Sequence, residues 1–245
     1  MKEKIRMNEY GSNHMKIKDL IKLYEEKEDL YGDDAYKHIS ELFQEAKQLH
    51  YNDWLKKPTK RGDHEQSWRA FKGKNLEKII MHIIKKEVES LGLKIVNGNK
   101  LERTKSGNLS LELSKVKRNL LVDYGEFGSH LPDVDIITYR PITAEILAVL
   151  SSKVTLRERI AQTGYWKIKL SSDKVTEHIK VFFVTPDEDG TLSIRKPAKK
   201  GRAIVELDTD GSYVMTKEPV EESEKVKPFD KFIDNLKKLR DNPSK

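Results

Sequence analysis

The sequence contains no cysteine, which excludes zinc–thiolate centres and disulfide frameworks. Long apolar runs are also missing. None approaches membrane-spanning length, and Met1-Lys-Glu-Lys4 is followed by no signal-peptide core. A soluble, cytoplasmic protein with no membrane partner is therefore expected. Internal repeats are absent, and the one biased stretch is the acidic run from Glu218 to Glu224. Charge, by contrast, is plentiful in both signs: 47 Lys and Arg stand against 40 Asp and Glu, a net charge of +7. A surplus of that size suits a phosphate-rich partner, but many soluble proteins carry as much. The 245 residues can hold one large domain, or a core domain with a smaller helical one.

Residues 14 to about 90 read as helical. Ile17, Leu20, Ile21, Leu23 and Tyr24 mark one apolar stripe; Tyr36, Ile39, Leu42, Phe43 and Ala46 mark a second. Trp54 and Trp68 flank a basic loop, 56–62, whose Lys56, Lys57, Lys60 and Arg61 can meet DNA backbone or form a solvated turn. A third helix is expected from about Asn75 through Ile79, Ile80, Ile83, Ile84 and Val88, with Gly92 as its C-terminal stop. Strands are expected at 109–113, 119–123, 134–138, 146–150 and 179–184, each short, branched and bounded by turns. A helix from about Leu156 to Lys167 precedes the last strand, and an amphipathic helix, Phe229 to Leu239, follows it. Helices, then strands, then helix and strand again indicate an α/β fold with a mixed sheet.

The chemistry is concentrated between Pro132 and Arg159. On a strand beginning near Pro132, Asp133 and Asp135 share a face. Two carboxylates among apolar neighbours need a cation or hydrogen bonds if buried, and need neither at an edge in water. By the same alternation Ser151 and Lys153 share a face at the end of the next apolar run. If the two strands are neighbours, Lys153 approaches the aspartates and can orient an attacking water while Mg²⁺ neutralises a phosphate. Glu77 falls in the expected first turn of the third helix. There it either complements the helix dipole or supplies a further metal-binding carboxylate. Arg157, Glu158 and Arg159 follow at once. Arginine pairs with guanine O6 and N7 and glutamate accepts from cytosine N4, so the triplet matches adjacent G·C pairs; otherwise it is a charged helix start.

Asp133, Lys153 and Arg157-Glu158-Arg159 together resemble the PD-(D/E)XK superfamily of type II restriction endonucleases. The resemblance is to the branch cutting CCGG, CCNGG or CCWGG sites (the NgoMIV, EcoRII and BsaWI kind). It covers residues 73 to 185 and is carried by Lys153-Val-Thr-Leu-Arg157-Glu158-Arg159, a short form of the branch's recognition element. The resemblance implies a PD-(D/E)XK core with a mixed central sheet flanked by helices (73–245); the helical region before it (1–72), to which the resemblance does not extend, is available for flanking-DNA or dimer contacts. It implies that Asp133 holds Mg²⁺, that Lys153 supports the nucleophilic water, that the triplet reads the CC/GG pairs, and that Glu77 is the helix carboxylate of the active site. One departure stands out: Ser151 occupies the position two before the lysine, where the motif is acidic. Residues 160–170 offer no acidic substitute. Glu77, then Asp135, then Glu145 are the candidates to complete the metal set.

The expected function is a Mg²⁺-dependent endonuclease acting on double-stranded DNA at a palindrome containing CC/GG, as a homodimer. Two other functions use the same residues: a non-catalytic, sequence-specific DNA-binding protein, and a repair or junction nuclease of the same superfamily.

Overall fold

The structure, a computed structural model, describes residues 15–56, 63–154 and 159–242. Among the described residues it is a mixed α/β fold with a six-stranded sheet. Helices α1 (Ile17–Tyr31), α2 (Ile39–Lys56) and α3 (His64–Ser90) come first. Strand β1 (Lys94–Asn97), helices α4 (Gly98–Arg103) and α5 (Leu111–Asn119), and a short hairpin, β2 (Val122–Asp123) with β3 (Ser129–His130), follow. The sheet continues through β4 (Ile136–Tyr139) and β5 (Ile146–Ser152), helix α6 (Arg159–Ser171), β6 (Lys180–Thr185), α7 (Lys200–Asp208), β7 (Gly211–Val214), β8 (Val226–Pro228) and α8 (Lys231–Asp241).

The strand order is β1-β4-β5-β6-β7-β8. β1, β4 and β5 run antiparallel, whereas β5 to β8 run parallel. β5 is thus the strand at which the sheet changes sense. It is buried along its whole length, as a strand covered on both faces must be. Successive residues alternate between two cores. Ile136, Leu150, Phe182 and Val184 join the core under α1, α2, α3 and α8. Ile137, Val149 and Val181 join a second core with Val116 of α5 and Leu170 of α6. Ile160, Phe183, Val205 and Val214 form a third beneath α6 and α7.

The helical region does not stand apart from the sheet. The expected boundary at 72/73 falls inside α3, and Leu20, Leu42 and Phe43 share one core with Ile136 and Phe182. The third helix starts earlier than its apolar stripe suggests, because Asp63 caps it by accepting from the Gln66 N–H at 2.8 Å. Gly92 ends it with a φ of 73° just past the C-cap. The strand expected at 109–113 is instead the start of α5. Ser110 accepts from the Leu113 N–H, Glu112 sits in the first turn, and Lys117 and Arg118 in the last. These caps and charges favour a helix and override the short period-two pattern. The strand expected at 119–123 shrinks to Val122–Asp123. Among the described residues no helix is long and apolar enough to cross a membrane.

Candidate active site

A cleft of about 980 Å³ opens between α3 and the C-terminal end of β5. Its floor comes from three segments distant in sequence. Glu77 reaches it from the middle of α3, where Asn75, Leu76, Ile79 and Ile80 are also buried. Asp135 reaches it from the start of β4, and Ser152 and Lys153 from the end of β5.

The β4–β5 pairing creates the central contact. The Asp135 N–H donates to the Leu150 carbonyl at 3.0 Å, continuing the ladder beyond Ile136 opposite Leu150. That register brings the Asp135 carboxylate under the end of β5, where three donors converge on Oδ2. The Ser152 N–H lies at 2.7 Å, the Ser152 hydroxyl at 3.3 Å and the Lys153 ammonium at 2.7 Å. Both partners of the ion pair are shielded, with side-chain exposures of 8% for Asp135 and 17% for Lys153.

Glu77 faces the same carboxylate. Burial, and then the negative charge of Asp135, push its carboxyl above the usual carboxylate range. Asn97 and Asn99 oppose that shift by hydrogen bonding, the Asn99 amide donating to Glu77 Oε2 at 3.2 Å. Both asparagines flank Gly98 at the start of α4, where Asn97 also caps the helix through the Lys100 N–H. Gly98 donates its N–H to the Asp135 carbonyl at 2.9 Å. A Cβ at this position would lie 1.9 Å from the Val134 carbonyl oxygen, so only glycine lets α4 approach the aspartate strand.

Asp133 lies two residues before Asp135, exposed at the cleft margin, and accepts from the Gln162 amide of α6 at 2.9 Å. Lys153 therefore contacts Asp135, not Asp133. Glu77 is not in a first helical turn, so dipole complementarity does not account for it. Ser152, rather than Ser151, joins Lys153 in the cleft. Glu145 sits at the opposite end of β5, about 20 Å along the strand, paired with Arg140 at 2.7 Å; it is removed as a candidate. Arg157 and Glu158 lie outside the described residues, as do Lys57, Lys60 and Arg61. Arg159 is the first residue of α6. Lys56 is exposed at the end of α2 and pairs with Asp53 at 3.2 Å.

Several cleft residues carried no signal in the sequence. Arg69, Lys72 and Lys74 of α3 and Arg103 of α4 line its walls. Lys72 is held by both oxygens of Glu188, at 2.6 and 2.8 Å. Glu188 lies on the loop after β6, whose shape comes from buried Asp187. Its carboxylate accepts the N–H groups of Thr191, Leu192 and Ser193. The asparagines are legible as a helix cap, but nothing local ties them to Glu77.

The donor set can be tested against a divalent ion. Two buried carboxylates facing one another are costly unless a cation or a proton intervenes. All the candidate donors are oxygens, which suit Mg²⁺. Among the described residues no three histidine, cysteine or carboxylate side chains converge on one point. Such an ion would thus rest on Glu77 and Asp135 and take its remaining oxygens from water and a phosphate, as Mg²⁺ commonly does. On that donor set the residues fit.

The family described as BsaWI restriction endonuclease type 2 matches residues 112–237, just over half of the chain. A protein named putative type II restriction enzyme MjaVIP, from Methanocaldococcus jannaschii, is 36% identical over 212 residues, spanning 81% of this chain and 92% of that protein. A probable type II restriction enzyme of Helicobacter pylori, HpyAORF263P, is 34% identical over 174 residues, or 68% and 88% of the two chains. Among solved structures, the restriction endonuclease PspGI in complex with substrate DNA superposes with a TM-score of 0.51 at 13% identity, covering 91% of this chain and 93% of that one.

Proposed function

The chain belongs to the BsaWI family of type II restriction endonucleases, and from that premise we propose that the cleft hydrolyses a DNA phosphodiester with Glu77, Asp135 and Lys153 as its working groups. The observation that carries this reading is the Lys153–Asp135 contact at 2.7 Å beside the buried Glu77.

Each group has a separable task. Glu77 and Asp135 form the divalent-ion seat, with Asp133 as an outer carboxylate at the cleft margin. A bound Mg²⁺ there would neutralise phosphate charge and acidify a water molecule. Lys153, fixed by Asp135, points its ammonium protons into the cleft and orients the attacking water toward phosphorus. Asn99 holds Glu77 in place, and the Ser152 N–H and hydroxyl hold Asp135. Arg69, Lys74 and Arg103 supply cationic walls for the backbone on either side of the scissile phosphate.

Base reading falls to Arg157, Glu158 and Arg159, immediately before and at the start of α6, with bidentate arginine–guanine pairing at CC/GG steps. A palindrome of that kind is matched by a twofold homodimer, each subunit cutting one strand. The helices before residue 73, with Lys56, Lys57, Lys60 and Arg61, serve flanking DNA or the dimer contact.

Incubation of the purified protein with plasmid and Mg²⁺ tests the proposal. Discrete bands with CC/GG at the mapped ends are expected, and Lys153→Ala is expected to abolish them. Sequence-specific binding without scission at any Mg²⁺ concentration would instead favour a DNA-binding protein. Equal loss of cutting at all sequences in Arg157→Ala would favour a repair nuclease.

A further inference from the structure

The geometry points to Gln162 as a positioning residue that ties the base-reading end of α6 to the cleft carboxylates. This inference rests on the nuclease reading above and adds a residue to it.

Asp133 projects from a backbone held on either side by buried Pro132 and Val134. It is exposed, in the irregular segment between β3 and β4, and its Oδ2 takes the Gln162 amide proton at 2.9 Å. Gln162 does not act alone on this segment. Three and seven residues further on, the same stripe of α6 carries Tyr165 and Lys169. The Tyr165 hydroxyl lies 3.2 Å from that of Tyr124, next to the β2–β3 hairpin. The Lys169 ammonium sits 5.1 Å from the Tyr124 ring and 5.7 Å from the Tyr165 ring. One helix stripe therefore clamps the segment 124–133 at both ends.

The other side of α6 is anchored. Ile160 is buried with Val205 of α7, and Gly164 lets α7 approach so closely that a Cβ would lie 3.0 Å from Asp208. A helix fixed in this way moves as a unit. Its first residue, Arg159, belongs to the triplet assigned to base reading in the proposal above. Contacts that Arg159 would make to bases therefore sit on the same rigid helix that holds Asp133 through Gln162, two residues from the carboxylate that Lys153 holds. Gln162 thus couples recognition to the metal seat.

Gln162→Met keeps the side-chain length and removes the donor. Its exposed position leaves folding intact, which a melting curve matching the wild type verifies. Free Mn²⁺ measured by electron paramagnetic resonance reports the affinity of the metal seat without any cutting. The variant is expected to bind Mn²⁺ about twofold to fivefold more weakly, less than the roughly tenfold that loss of a direct ligand's supporting partner costs, because Asp133 stands outside the Glu77–Asp135 seat. Its kcat at the matching site is expected to fall, with KM and the Ca²⁺-supported DNA Kd within about twofold of wild type. Wild-type Mn²⁺ affinity in the variant overturns the coupling, and so does a loss confined to DNA affinity, which would make Gln162 a DNA contact. If the wild type binds Mn²⁺ in a Gln162-dependent way yet cuts no DNA, the nuclease reading fails and the tie to the metal seat stands. If the wild type binds no Mn²⁺, the tie itself fails.

Discussion

Lys153 and Asp135 are partners, yet removing their charges singly should have unequal effects on stability. Asp135 has a cation on one side and a second carboxylate, Glu77, on the other. Lys153→Met deletes the cation and leaves two shielded carboxylates facing each other. Breaking a buried ion pair by removing one partner costs about 3–5 kcal/mol. Here Lys153 retains 17% exposure, and the two Ser152 hydrogen bonds to Asp135 survive. The expected cost is therefore lower, about 2 kcal/mol, close to a charge-assisted hydrogen bond. For a chain of this size that lowers Tm by about 4–8 °C. Asp135→Asn also removes the ion pair, but its freed ammonium can turn toward solvent and the repulsion on Glu77 disappears. Its stability is expected within about 1 kcal/mol of wild type.

Thermal unfolding followed by circular dichroism in EDTA, at neutral pH, separates the two variants. The Lys153→Met deficit should shrink as pH falls. Glu77, with its carboxyl already pushed up, takes a proton early and stops repelling Asp135. Plasmid cleavage is expected to vanish in both variants despite their different stabilities. A Lys153→Met protein as stable as wild type, or an Asp135→Asn protein destabilised equally, would refute this account of the site's electrostatics.

Glu77→Gln should change both pH dependence and metal response. Between its ordinary and its raised pKa, Glu77 holds a proton in the folded protein that the unfolded chain has released, so metal-free wild type loses stability as pH rises through that window. The variant should lack that loss, and Mg²⁺ should raise the melting temperature of wild type but not of Glu77→Gln, as a pH series with and without Mg²⁺ would show. Gly98→Ala forces a methyl group onto the Val134 carbonyl. It should cost about 1–3 kcal/mol and abolish cleavage, while gel-shift affinity for DNA remains; wild-type cutting would show that the close approach of α4 to the aspartate strand is not needed for the reaction. Glu188→Gln releases Lys72 from its carboxylate. Fluorescence anisotropy should show DNA affinity rising about threefold to tenfold at low ionic strength, with the gain fading as salt screens the phosphates. An unchanged Kd at low salt would mean that Lys72 does not face the DNA.

The sequence is legible where a pattern is long or a residue pair is close. The branched runs at 146–150 and 179–184 are strands because both faces of the sheet are covered, and a buried strand has little choice of residue. The acidic pair and Lys153 are visible because alternation and turn lengths suffice to bring one strand end against the next. Which aspartate meets the lysine depends on register, and a one-residue change in where β5 ends exchanges Ser151 for Ser152 in the cleft. Such a change leaves no mark in local composition. The strand expected at 109–113 fails because one serine cap outweighs five alternating residues. Glu77 is suggested by the resemblance, but its setting is not: an early N-cap at Asp63 moves it from a solvated first turn to the buried middle of a 27-residue helix. Gln162, Asn99 and Glu188 are ordinary surface residue types, and only the folded chain shows what each touches.

The cover over β5 also has a consequence for biosynthesis. Phe232 and Leu236 of α8 lie in the same core as Leu147, Ala148 and Leu150 of β5, and the Arg140 guanidinium donates to the Arg240 carbonyl. A ribosome that has translated only as far as β7 has already produced Glu77, Asp133, Asp135, Lys153 and the cations of the cleft. It has not yet produced the helix that seals the strand on which the lysine sits. Nascent chains at that stage carry all of these side chains on an unsealed core. The core over that strand thus closes only with the synthesis and docking of α8, about eighty residues after Lys153.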